Sequence, residues 1–257
     1  MTIGIYNTTL RQLPIVSGFS HTVMATINRE LVNVPSMGEI EPHRMPHIYT
    51  DGRTIYTRNL VPGQSVYGEK LVLSEGVEYR AWNPRRSKLA AYILKGCRTF
   101  PFDRGSTILY LGAATGTTAS HLSDIATQGM IYCVEISSLP FRKLVSLCET
   151  RRNMVPLLAD ANNPEGYQKL IAEVDILYQD IAQRNQVEIL RKNMKFLRES
   201  GVAFLMVKAR SIDVSMDPKD LFESVKSELK QSGLKLVESK NLAPYEKDHM
   251  AIVGITR

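Results

Sequence analysis

No apolar run in this chain approaches the roughly twenty residues needed to cross a bilayer. The opening residues lack the basic start and apolar block of a secretory leader, so the expected location is the cytoplasm. Cysteine is scarce. Cys97, Cys133 and Cys148 form an odd count without CxxC spacing, which favours reduced structural thiols over a metal site. Cys133 falls in an apolar strand pattern and Cys148 on a helix pattern, as reduced structural thiols do. Charge is not lopsided either. The 32 basic and 26 acidic residues leave a net charge of +6, which is compatible with an RNA partner but does not establish one. With 44% apolar and 23% charged residues over 257 positions, there is ample material for an ordinary globular core.

Residues 1–37 lack sustained periodicity and read as an N-terminal extension. From about 38 to 80 the sequence reads as a small antiparallel β unit. His47-Ile48-Tyr49-Thr50 precedes Asp51-Gly52, a strong hairpin pair, and Thr54 to Thr57 follow with matching β-prone residues. Pro62-Gly63 and Glu75-Gly76 then separate short strands at Val66-Tyr67 and Leu71-Val72-Leu73. A unit this small needs something to pack against. From 81 to 257 the pattern becomes α/β. A helix face at Leu89, Ala90, Ile93 and Leu94 stops at Gly96. Strands are expected at 106–112, 130–136, 155–160, 174–180 and 201–209, and helices at 118–127, 139–150, 185–198 and 218–231. Near-continuous apolar strands such as VAFLMV imply burial on both faces, hence a mostly parallel doubly wound sheet. The last two strands, 234–241 and 250–256, have too short a connection for a crossover and are expected to form an antiparallel hairpin.

The segment TILYLGAATGTT carries the chemistry. A buried strand runs into a small-residue turn, Gly112 to Thr118, followed by a helix. Such a turn lets the backbone approach a ligand closely. The third glycine of a dinucleotide fingerprint is missing, and so is the lysine of a P-loop. Those absences favour an adenosyl ligand without a pyrophosphate, S-adenosylmethionine first; a purely structural strand–turn–helix is the alternative. Glu135, 23 residues after Gly112, is placed to accept from ribose hydroxyls. Asp160 could accept from an adenine amine. Asp180 and Lys208, at the ends of adjacent central strands, would face the reactive end, and His249 opens the last strand. Methyl transfer to a hydroxyl needs in-line positioning and help with the proton. Lys208 could stabilise a developing alkoxide or, if neutral, act as base; the first ranks higher, because a neighbouring carboxylate keeps a lysine charged.

YRAWNPRRSKLAA, LYLGAATGTTASHLSDI, the Asp-Ile-Ala-Gln at 180–183, VKARSID and PYEKDHMAIV together resemble fibrillarin, in particular the archaeal fibrillarin-like proteins. The resemblance runs from about Thr57 to the C-terminus. It implies a class I methyltransferase domain behind a small β domain, and 2′-O-methylation of ribose in ribosomal and transfer RNA. It further implies cofactor contacts at Gly112, Ala114, Gly116, Thr117, Thr118, Glu135, Ile136, Asp160, Ala161, Asp180 and Gln183. The family's Lys-Asp-Lys-His tetrad falls on Lys88, Asp180, Lys208 and His249. Ile136 stands where many relatives carry an aromatic residue. The resemblance also implies a box C/D guide RNA, a Nop-domain scaffold protein and a kink-turn-binding protein as partners. Arg85 and Arg86, in WNPRRSK, could supply sequence-independent phosphate contacts, the solvated face being the alternative. Rival readings are a methyltransferase for a protein side chain, a cofactor-binding structural subunit and a nicotinamide dehydrogenase; the missing third glycine disfavours the last.

Overall fold

The computed structural model describes residues 39–256; the expected extension over 1–37 lies outside them. The first sheet holds β1 (Glu41–Pro42), β2 (Tyr49–Thr50), β3 (Ile55–Arg58), β4 (Leu71–Ser74) and β5 (Val77–Trp82), in the order β1-β2-β3-β5-β4 with antiparallel pairing throughout. The Asp51-Gly52 turn forms as its sequence dictates. Asp51 Oδ1 accepts from the Arg53 and Thr54 amides at 2.9 and 2.7 Å, and Gly52 takes φ +84°. The strand expected at Val66-Tyr67 does not form. Their amides donate instead to the Glu69 carboxylate at 2.8–3.1 Å, so the chain turns rather than pairing with a strand.

The second sheet follows α1 (Lys88–Leu94), and its elements are β6 (Thr107–Leu111), α2 (Thr117–Ile125), β7 (Met130–Glu135), α3 (Ser138–Thr150), β8 (Met154–Leu158), β9 (Val174–Gln179), α4 (Gln186–Asn193), β10 (Leu197–Lys208), α5 (Ala209–Ile212), α6 (Pro218–Gln231), β11 (Lys235–Asn241) and β12 (His249–Ile255). The strand order is β11-β12-β10-β9-β6-β7-β8. Pairing is parallel from β10 to β8, and β12 lies antiparallel between β10 and β11. Alternate strand residues enter two cores: Ile108, Tyr110, Tyr178 and Phe204 pack with α1 and α2, whereas Leu109, Leu111, Leu177 and Leu205 pack with α4 and α6. The helix expected over 185–198 is shorter. It ends at Asn193 and tightens into a 3₁₀ turn at Met194–Phe196, because β10 already begins at Leu197 and passes an irregularity before Val202. Among the described residues no helix is long and apolar enough to cross a membrane. Cys97 and Cys133 are buried and Cys148 half-buried; burial pushes the Cys97 and Cys148 thiols up to about 11, which keeps them protonated and inert.

A buried polar cluster joins the first sheet to α2. Arg80 and Arg151 are essentially inaccessible, at 0% and 1% exposure, so each charge needs a partner. Asp124, on α2, serves both: Arg80 Nη1 donates to Oδ2 at 2.7 Å and Arg151 Nη1 to Oδ1 at 2.6 Å. Arg80 is also paired with Glu69 at 2.6 Å, so two cations face two carboxylates. Thr57 Oγ1 donates to Asp124 Oδ2 and therefore accepts from His121 Nδ1 at 2.7 Å; the Tyr67 hydroxyl lies 2.8 Å from Nε2 and 3.1 Å from the Ala81 carbonyl. The His121 ring stacks on Trp82 at 4.6 Å. Burial holds its pKa well below the ordinary value, and Arg80 and Arg151 add to the shift.

Removing one member of a buried ion cluster leaves charge unpaired. Asp124→Ala is expected to cost about 3–5 kcal/mol, read as a lowered urea midpoint. For His121 the folded-state pKa is depressed, so its contribution is complete above the unfolded value of about 6.5. Below it the unfolded chain binds a proton that the native chain refuses. The urea midpoint should therefore fall from pH 7 to pH 5.5, with a slope of up to about 1.4 kcal/mol per pH unit from this group. His121→Gln should flatten that fall.

Candidate active site

Two cavities open at the carboxyl ends of the parallel strands, where α/β sheets place their ligands. The first, about 290 Å³, is bounded by the glycine turn after β6, Glu135 and Ile136 after β7, Asp160 and Ala161 after β8, and Asp180 to Gln183 after β9. The second, about 350 Å³, is bounded by Arg86, Lys88, Tyr110, Thr117, Thr118, Lys208, Glu246 and His249. Gly112, Ala114, Asp180, Ile181 and Ala182 line both. The turn after β6 is thus the wall between the two, a donor cavity and a reaction cavity by the chemistry expected of each from the sequence.

That wall has no room for a side chain. Gly112 has φ +81°, and a Cβ there would stand 2.5 Å from the Asp180 carbonyl oxygen and 2.9 Å from Ile181 Cγ1. Gly116 is required for a different reason. It caps α2 at φ +88° and a Cβ would meet Leu147 Cδ2 of α3 at 2.4 Å. Expected among the ligand contacts, it lines neither cavity and instead lets α3 close on the turn. Glu135 is 8% exposed, and its oxygens accept the Ala114 and Ser137 amides at 2.8 and 2.7 Å. Each oxygen keeps a second lone pair for a ligand hydroxyl. Asp160 is exposed and accepts from the Asn162 amide, while Asn162 Nδ2 donates to Gln183 Oε1 at 2.9 Å, joining the two loops. Ile136 is 54% exposed at the rim.

In the reaction cavity Lys88 Nζ meets Asp180 Oδ1 and Oδ2 at 2.8 and 3.1 Å, with both side chains 19% exposed. Lys88 opens α1, and its neighbour Ser87 is the N-cap. Ser87 Oγ accepts from the Ala90 amide and from Thr118 Oγ1 at 2.9 Å, fixing α1 against α2. Lys208 and His249 are register partners across β10 and β12, so they project from the same face of the sheet. The His249 Nδ1 lies 2.6 Å from the Lys247 carbonyl, which can only accept. The ring therefore carries its proton on Nδ1 and offers the Nε2 lone pair. Burial lowers the His249 pKa and the Lys88 charge lowers it further, against raising effects from the Lys247 bond, Glu246 and Asp180.

The structure brings together Lys88, Asp180, Lys208 and His249, and of the expected cofactor residues Thr117 and Thr118 face the reaction cavity rather than the donor cavity. Arg86 borders the reaction cavity, its guanidinium 5.7 Å above the Tyr67 ring; Arg85 is exposed and lines neither cavity. Sequence reasoning missed Tyr110 and Glu246 in the reaction cavity and Ser137 in the donor cavity. Tyr110 had a signal, an aromatic hydroxyl within an aliphatic strand; the other two had none. Among the described residues no group of three His, Cys, Asp or Glu side chains could hold a metal ion.

Residues 40–257 match the family model described as Fibrillarin. A fibrillarin-like rRNA/tRNA 2′-O-methyltransferase from Methanopyrus kandleri is 50% identical over 224 residues, covering 84% of this chain and 97% of the relative. The crystal structure of Aeropyrum pernix fibrillarin in complex with natively bound S-adenosyl-L-methionine superposes with a TM-score of 0.78 at 43% identity, covering 84% of this chain and 97% of that one. The fibrillarin chain of a fibrillarin/Nop5p complex gives the same TM-score at 44% identity, covering 84% of this chain and all of its own length. With a family model spanning almost all of the described residues and relatives matched over nearly their full length, the chain belongs to the fibrillarin family.

Proposed function

We propose that this protein transfers a methyl group from S-adenosylmethionine to the 2′-hydroxyl of ribose in ribosomal and transfer RNA. The observation that carries the reading is the convergence of Lys88, Asp180, Lys208 and His249 in one cavity that shares a wall with a second. The donor cavity suits an adenosyl ligand. Gly112 lets the turn close on Asp180 and Ile181 at the edge of that cavity, Glu135 has lone pairs for two ribose hydroxyls, and Asp160 can accept from an amine. When bound, S-adenosylmethionine supplies an electrophilic methyl on a positively charged sulfur.

The chain's residues supply the rest. A ribose hydroxyl is a poor acid, so its proton needs an acceptor and its oxygen a nearby positive charge as it attacks. His249 is neutral and offers Nε2 as that acceptor. Lys208 stabilises the charge developing on the oxygen. Lys88 holds the Asp180 carboxylate through both of its oxygens, which keeps that side chain fixed where both cavities meet. Arg86 at the cavity mouth is placed to meet a substrate phosphate, and Arg85 beside it adds charge.

The target is selected outside this chain. A box C/D guide RNA pairs with the substrate, a Nop-domain protein of the kind in the fibrillarin/Nop5p complex holds the enzyme, and a kink-turn-binding protein organises the guide.

Asp180→Ala and Lys208→Ala should each lower the single-turnover rate about 10²-fold or more in an assembled guide complex while leaving the circular dichroism spectrum unchanged. A rate within a few-fold of the parent for both would remove the mechanism. Arg85→Ala with Arg86→Ala should weaken RNA association and reduce the slope of log K against log salt by about one for each phosphate no longer neutralised. An unchanged slope would return these arginines to the solvent.

A further inference from the structure

β9 stops before β10 does. The two strands pair as far as Leu205, opposite Gln179; β10 continues to Lys208 with β12 on its other edge. The edge left open beside Lys208 is occupied by a side chain. Gln186, the first residue of α4 and fully buried, accepts the Lys208 amide on Oε1 and donates Nε2 to the Lys208 carbonyl, both at 3.3 Å. Its Nε2 also donates to the Gln183 carbonyl at 2.8 Å. Gln186 is itself held, because its own carbonyl accepts from the buried Gln179 Nε2 at 2.7 Å.

We propose that Gln186 is a positioning residue for methyl transfer: its amide replaces the missing strand neighbour of Lys208 and ties that backbone to the Gln183 segment of the donor cavity. Both edges of the chain at Lys208 are then fixed: its own amide and carbonyl by Gln186, and the opposite edge by the next amide, Ala209, which donates to the Asp248 carbonyl at 3.0 Å. The ammonium enters the reaction cavity from an anchored root, at a distance set by the same residue that shapes the donor side. Misplacing a reactive group by about 1 Å costs on the order of 10² in rate. An amide that only satisfied buried carbonyls would change stability and leave the rate of the folded enzyme alone.

The proposal rests on the reading of Lys208 given above. Its test is Gln186→Met, similar in length and bulk but without the amide, in the full chain within an assembled guide complex. At saturating cofactor and RNA the single-turnover rate should fall about tenfold or more, with the S-adenosylmethionine dissociation constant within about threefold of the parent. Backbone hydrogen exchange over 206–209 should accelerate while the rest of the sheet is unchanged. If the Met variant does not fold, Gln186→Ser is measured in the same way. A folded variant with a rate within twofold of the parent overturns the proposal. So does a cofactor affinity that falls by as much as the rate, which would mean that Gln186 acts through the donor cavity. Lys208→Ala in the same assay separates the two failures. If it is inactive while Gln186→Met is normal, only the positioning role is lost; if it retains the rate, the reading of Lys208 falls and the proposal with it.

Discussion

Asp124 holds the molecule's two sheets in register. One carboxylate serves two buried guanidiniums, Arg80 from the first sheet and Arg151 from the segment after α3, and accepts further from Thr57 and the Leu60 amide. A buried ion cluster of this kind gives little net stability over a well-packed apolar equivalent, but it is costly to leave incomplete. Its effect is geometric. It permits only the docking of the small sheet in which all these partners meet. Asp124 lies near the end of the helix whose first residues are Thr117 and Thr118, so a rotation of α2 that broke the cluster would also move the wall of the reaction cavity.

From α2 the constraint passes to the site by contact. Thr118 bonds Ser87, Ser87 caps α1, and the next residue, Lys88, grips Asp180. On the other flank, Gly116 lets α3 close on the turn, and Gly112 lets the turn close on Asp180. The Asp180 backbone is therefore approached closely by a residue with no side chain, and its carboxylate is held by a lysine whose helix start is pinned. Backbone and side chain are thus fixed separately, where the two cavities meet.

The fold is more legible in the sequence than its joints are. Strand–helix alternation, the Asp51-Gly52 hairpin, the C-terminal hairpin and the Asp217-Pro218 helix start can all be read, because each depends on local backbone preference or on burial periodicity. Val66-Tyr67 reads as a strand and is not one. Its β-prone residues are overridden by the Glu69 carboxylate, which takes their amides because Arg80 holds it inside. The helix over 185–198 reads too long, since Met194 and Leu197 continue the apolar spacing after the backbone has left the helix. Asp180 and Lys208 stand out as polar residues ending apolar strands. Lys88 can be assigned only by resemblance, because nothing local tells a lysine at a helix start that it will meet a carboxylate 92 positions away.

His249 shows why the antiparallel ending matters to the chemistry. In an all-parallel sheet every strand brings its carboxyl end to the cavity edge, and a neighbour of β10 would do the same. Because β12 runs the other way, its first residue lies at that edge, directly opposite the last residue of β10. Lys208 and His249 are thereby set opposite each other by strand register, with no loop between them to move. Burial and the Lys88 charge lower the His249 pKa, and the Lys247 carbonyl fixes which nitrogen carries the proton. The ring is thus left able to accept a proton on Nε2.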